Sequence, residues 1–140
     1  MVKRLSEYIP RYLNMHTDTA RLTIQLIRNY DRFKEQADDL LALNMGIQID
    51  GQPKGSGVGD PTARTAEQRE HLMDEIRAID GGLQVVPDEY RAIIWEWVKD
   101  GRPLYSIDGS QYVSERTLYE YKRRFISEVA RLKGWIIEEG

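Results

Sequence analysis

Cysteine is absent from this chain, so disulfides and thiol chemistry are excluded, in agreement with a reducing compartment. Histidine is nearly absent. His16 and His71 lie far apart and lack carboxylates at metal-ligand spacing, so both read as surface or helix-edge residues. No serine sits in a Gly-x-Ser-x-Gly elbow. The carboxylate pairs Asp38-Asp39, Asp74-Glu75 and Glu138-Glu139 are adjacent in sequence and point in different directions on a helix. The Asp-Gly pairs mark turns and do not build a calcium loop. The expectation is a chain with no catalytic residues, no metal and no cofactor. No apolar run approaches the roughly 18 residues that cross a bilayer. The opening Met-Val-Lys-Arg lacks the apolar stretch of a secretion signal, so the reading is a cytoplasmic protein with no membrane partner.

An excess of positive charge is missing as well. The formal net charge is −3, which argues against a simple polycationic nucleic-acid binder. Its distribution says more. Ser114–Lys133 carries six basic and three acidic residues, whereas Pro61–Asp100 carries five basic and nine acidic ones. Screening confines exposed charges to a reach of about 10 Å at 0.1 M salt, so a local basic face can act inside an acidic protein.

With 41% hydrophobic and 31% charged residues, the chain can fold into one or two small domains. The pattern is helical throughout. Val2–Met15 has an apolar face of Leu5, Tyr8, Ile9, Tyr12 and Leu13, interrupted by Pro10. From Thr17 to about Asn44 the spacing predicts one long helix. Leu26, Tyr30, Phe33, Ala37 and Leu40 alternate at four and three residues, forming a heptad seam about three heptads long. Two readings of that seam stay open: pairing with a second chain as a homo-oligomer, or folding back on a helix of the same chain. Met45–Asp60 is rich in glycine and reads as a flexible loop; its Lys54-Gly55-Ser56-Gly57 reverses the order of a phosphate cradle.

Asp60-Pro61 is a strong helix start, and the following helix is expected to run to about Asp80, where Gly81-Gly82 stops it. That helix is the natural antiparallel partner of Thr17–Asn44. Pro87 opens another over Asp88–Asp100, with Tyr90, Ile93, Ile94, Trp97 and Val98 toward a core. Trp95 lies off that stripe, covering a core edge or belonging to an interface. Pro103 can start a short helix through Tyr105 and Ile107 that Asp108-Gly109 cuts short.

Ser114 then caps the last helix, which Gly134 ends. Leu118, Phe125, Val129 and Leu132 form its apolar stripe, widened by Tyr121 and Ile126. Arg116, Tyr119 and Arg123 recur on what the helical wheel makes the opposite face. Helix, short element, turn and long helix is the order of a helix-turn-helix unit, whose last helix enters the major groove. Arg116 or Arg123 could donate a bidentate pair to guanine, worth about 1–3 kcal/mol of discrimination. Ser114 and Thr117 suit phosphate, and Lys122 and Arg124 suit backbone charge. Tyr119 suits a thymine methyl or a sugar, and Glu115 and Glu120 suit cytosine amino groups. Against this stands the solvated-face reading, in which Glu120 and Arg124 are an ordinary i, i+4 pair.

Two stretches resemble the RinA/ArpU-type transcriptional regulators of phages infecting Gram-positive bacteria. KGSGVGDPTAR at Lys54–Arg64 is similar to their linker and helix start. VSERTLYEYKRRF with the later LKGWI, within Val113–Ile136, is similar to their recognition helix and its end. The resemblance implies a C-terminal domain like the one with which sigma factors read promoter −35 elements, and a role in switching on phage late genes. It implies Ser114, Glu115, Arg116, Thr117, Tyr119 and Arg123 as DNA contacts. The chain departs from the pattern at Arg102–Tyr112, where related proteins carry a cleaner amphipathic second helix.

The fold class expected is all-α. A long helical hairpin or coiled-coil-like region occupies residues 1–80, with a flexible loop at 45–60, and a helix-turn-helix domain occupies 87–136. The leading function is sequence-specific binding of double-stranded DNA by a phage or prophage regulator. A packaging or scaffold component oligomerising through the long helix, and a protein–protein adaptor (to host RNA polymerase, for example), are the alternatives.

Overall fold

The computed structural model describes residues 17–44 and 61–136, and every described element is helical. The expected segment at Val2–Met15, the loop at 45–60 and the resemblance at 54–60 lie outside the described residues. Five α-helices follow in order: α1 (Thr17–Arg28), α2 (Tyr30–Asn44), α3 (Pro61–Leu83), α4 (Asp88–Val98) and α5 (Glu115–Leu132). Two single-turn 3-10 helices, Leu104–Ser106 and Ser110–Tyr112, separate α4 from α5. No helix among the described residues is long and apolar enough to cross a membrane.

The single helix expected over Thr17–Asn44 is two helices, and Asn29 is where it breaks. The Asn29 side-chain amide donates to Gln25 O at 2.8 Å, while its backbone N–H turns to Leu26 O at 3.1 Å, one residue short of the α-helical partner. A side chain competing for the i−4 carbonyl is a known cause of such bends. The helix resumes when Phe33 N–H finds Asn29 O at 3.0 Å.

After the bend, α2 runs antiparallel to α3. The Tyr30 hydroxyl donates to Asp80 at one end (2.7 Å), and Gln36 and Leu40 meet Gln68 and Leu72 toward the other. That arrangement matches the fold-back reading of the seam. Leu26, Tyr30 and Phe33 pack against the common core, Ala37 is buried, and Leu40 lines a cleft facing α3. The residues expected as an oligomer seam are therefore spent on folding back within the chain. Leu22, Leu41 and Leu43 are the large side chains these two helices leave exposed.

The α3 helix passes its expected stop and ends at Leu83. Gly81 and Gly82 are the crossing point with α5. A Cβ at Gly82 would collide with the Val129 side chain and stand 3.1 Å from Val129 N and 3.2 Å from Phe125 O. Glycine here brings two backbones together, and the helix geometry tolerates it because α5 packs where side chains would have been.

One buried cluster joins Ala20 and Ile27 of α1, Ala78 and Ile79 of α3, Ile93, Ile94 and Val98 of α4, and Leu118, Phe125, Ile126, Val129 and Ala130 of α5. The regions expected at 1–80 and 87–136 thus share a single core. Trp95 closes one edge of it, edge-on to Tyr30 at 4.8 Å and tilted on Phe125 at 6.3 Å.

Candidate nucleic-acid interface

The N-terminus of α5 is built as its sequence requires. Ser114 is extended (φ −63°, ψ 140°) and its Oγ accepts from Thr117 N at 3.2 Å while donating to Thr117 Oγ1 at 2.8 Å. One of the orphan first-turn amides is thereby satisfied. The far end closes as a Schellman turn around Gly134 (φ 76°), with Gly134 N–H on Arg131 O and Trp135 N–H on Ala130 O, both at 2.9 Å. Glu75 of α3 holds Lys133 by an ion pair. The helix is fixed at both ends.

What it presents to solvent is narrower than the sequence pattern suggests. Leu118, Lys122, Arg123, Phe125, Ile126, Val129 and Ala130 are all buried. At about 100° per residue they span about 160° of arc, because α5 is packed by α1 and α4 as well as α3. Arg116 and Arg123 fall near one edge of that arc, and the edge divides them. Arg116 is exposed with no carboxylate partner among the described residues; Arg123 is 7% exposed and inside the fold. Lys122 is 6% exposed, its Nζ 4.1 Å from the centroid of the Trp97 ring. The assignments of Arg123 to a base edge and Lys122 to the phosphate backbone are therefore corrected: both side chains serve the interior. Burial, and then the charge of Arg28, hold the Lys122 pKa down at about 8.

The remaining expected residues lie on the outer surface of the first turns. Ser114, Glu115 and Arg116 are exposed, Thr117 is half-buried through its bond to Ser114, and Tyr119 is half-buried edge-on against Trp97 at 4.9 Å. Arg124 is exposed but engaged, with Glu120 at 2.8 Å and its guanidinium 5.9 Å from the Tyr121 ring. Exposed, solvent-screened pairs of this kind contribute little to stability and open readily to a competing anion. The outer face therefore reduces to Glu115, Arg116, Glu120 and Arg124, edged by Ser114 and Tyr119.

The segment before α5 does not form a regular second helix. Its two 3-10 turns are joined at Gly109 (φ 89°), the left-handed residue that Asp108-Gly109 predicts. Ile107 is buried, Ser110 Oγ donates to Leu104 O at 2.7 Å, and Arg102 spans Glu96 and Ser106 O. These bonds leave Tyr105 and Tyr112 standing 88% and 86% exposed. Sequence reasoning placed Tyr105 on a short helix and passed over Tyr112. The available signal was two tyrosines in a Pro- and Gly-bounded segment with no helical period to bury them.

His71 is exposed on a cleft between α2 and α3 that Asp39, Leu40 and Glu75 also line. Among the described residues no group of three acidic or histidine side chains is placed to hold a metal ion. Comparison of the chain with protein-family models, with curated proteins and with solved structures finds no match.

Proposed function

We propose that this protein is a sequence-specific double-stranded DNA-binding regulator that offers the first two turns of α5 to the major groove. The observation carrying the proposal is Arg116, an exposed guanidinium without a carboxylate partner among the described residues, on the Ser114-capped first turn of a helix anchored at both ends. A solvent-facing arginine on the first turn of a fixed helix suits bidentate recognition of guanine, and Glu115 and Glu120 near it suit cytosine amino groups. Arg124 can exchange Glu120 for a phosphate. Tyr112, just ahead of the cap, suits a sugar or phosphate oxygen. The resemblance of VSERTLYEYKRRF and LKGWI to the RinA/ArpU-type regulators supports the finer reading, a phage or prophage protein acting on late genes. The recognition face proposed here is shorter than that resemblance implies, since Arg123 is withdrawn from it.

Selection of bound sequences from a random duplex pool, followed by titration of a selected and a scrambled duplex across salt, tests the proposal. A regulator keeps a preference for the selected site as salt rises, because phosphate contacts alone fade with salt and carry no sequence information. Equal binding to both duplexes at every salt concentration refutes it. The exposure of Tyr105 and Tyr112 favours a second reading, an adaptor meeting a protein partner (RNA polymerase among the candidates) through the turns before α5. The scaffold reading draws less support, because Leu26, Tyr30 and Phe33 pack against the core of the same chain.

A further inference from the structure

The basic surface does not end at α5. Arg21, Gln25, Arg28 and Arg32 recur at four, three and four residues along α1 and the start of α2, and all four are exposed. At about 1.5 Å per residue Arg21 to Arg28 covers about 10 Å, and Arg32 continues the row past the bend at Asn29. Asp18 and Glu35 stand exposed beyond the row's two ends, and no acidic residue lies within it, in a chain whose formal net charge is −3.

A solvated helix face ordinarily mixes its signs, and most other arginines among the described residues are paired. Arg77 is held by Glu70 and Asp74, Arg91 by Asp88, Arg102 by Glu96, Arg124 by Glu120 and Arg131 by Glu128. Asp31, next to the row, is drawn away by Lys99. Among the described residues no carboxylate is paired with Arg21, Arg28 or Arg32. Arg64 and Arg69 on α3 share that property but stand apart from the row.

The row is also tied to α5. Arg28 Nε reaches Val98 O at the end of α4 (3.4 Å), and a Cβ built on Gly101 would stand 3.7 Å from Arg28 Nη2. The same guanidinium acts on buried Lys122, so this edge of α1 borders the middle of α5.

We propose that Arg21, Arg28 and Arg32 form a phosphate-binding track that carries a DNA backbone across α1 while the first turns of α5 meet the bases. The inference rests on the DNA reading above and extends its footprint to a second element. The track contributes affinity without sequence preference, since guanidinium contacts to phosphate position a duplex and do not read it.

The test titrates random-sequence and selected duplex DNA across salt with four full-length proteins: wild type, Arg21→Gln/Arg32→Gln, Arg21→Lys/Arg32→Lys, and Arg116→Ala. Arg28 is left in place because of its bond to Val98 O. Each phosphate contact adds about 0.9 to the slope of log K against log salt, so the glutamine variant should lose about 1.8. The loss should be equal on both duplexes, the lysine variant should keep the wild-type slope, and the thermal melts should coincide. An unchanged slope in the glutamine variant overturns the track; if Arg116→Ala still erodes site preference, the α5 reading survives it. A reduced slope together with an unaffected Arg116→Ala preference keeps the track and removes the reading of α5. No duplex binding by wild type at low salt overturns both.

Discussion

Lys122→Met should stabilise this protein, and only below a definable pH. The wild-type amine is buried against the Trp97 ring and feels the like charge of Arg28. A folded pKa of about 8 against an ordinary 10.5 corresponds to about 3 kcal/mol of preference for the neutral amine. The Trp97 face returns about 0.5–2 kcal/mol to the ammonium form. Methionine keeps the unbranched stem and fills the same groove with an apolar end, so a net gain of about 1–3 kcal/mol is expected near pH 7. Because the folded pKa lies below the unfolded one, the unfolded chain binds the extra proton between those values, and wild-type stability rises with pH across that window. The penalty is fully present below about pH 8 and has largely gone at 10.5. Urea melts of both proteins near pH 7 and again near pH 10 read the difference directly. Subtraction at each pH cancels the titration of the eight tyrosines. A variant less stable than wild type near pH 7, or an advantage of the same size at both pH values, refutes the argument.

Other outcomes follow from the same geometry. Arg116→Ala should weaken a selected site by about 1–3 kcal/mol and a random duplex far less. Arg123→Ala should instead lower the thermal midpoint, with site preference kept; the reverse pattern would place Arg123 on the DNA. Gly82→Ala should cost about 2 kcal/mol in urea melts, the clash with the Val129 side chain and α5 backbone outweighing the helix propensity gained. An unchanged midpoint would show that α3 and α5 can separate cheaply. Leu26→Asp with Phe33→Asp should abolish cooperative unfolding, because both side chains pack on the common core. Retained cooperativity with a halved mass by light scattering would return the seam to an oligomer.

Much of the architecture was legible because it depends on local chemistry. Ser114, Gly109 and Gly134 act where their side chains, or lack of them, dictate, and Pro61 and Pro87 stand at helix starts. Periodicity found α4 and most of the α5 stripe. It failed where tertiary contacts outvote local rules. Gly81-Gly82 reads as a terminator, and only the presence of α5 turns it into a crossing point. Asn29 reads as an ordinary helix residue until its amide takes Gln25 O. The heptad seam said that α1 and α2 bury a face but could not say against which partner. The face of α5 was misjudged for a related reason. A helical wheel assumes one buried side, and a helix packed by three others buries nearly half its circumference, Lys122 and Arg123 included.

The division of labour along α5 sets how this chain can diversify. Positions 118, 122, 123, 125, 126, 129 and 130 are committed to packing, so exchanges there are felt throughout the molecule. Positions 115, 116, 120 and 124 lie outside the core, their contacts being the Glu120–Arg124 pair and the Tyr121 ring beneath Arg124. Under the DNA reading proposed above, exchanging those four side chains alone would retarget a descendant, with folding left nearly indifferent to the alphabet.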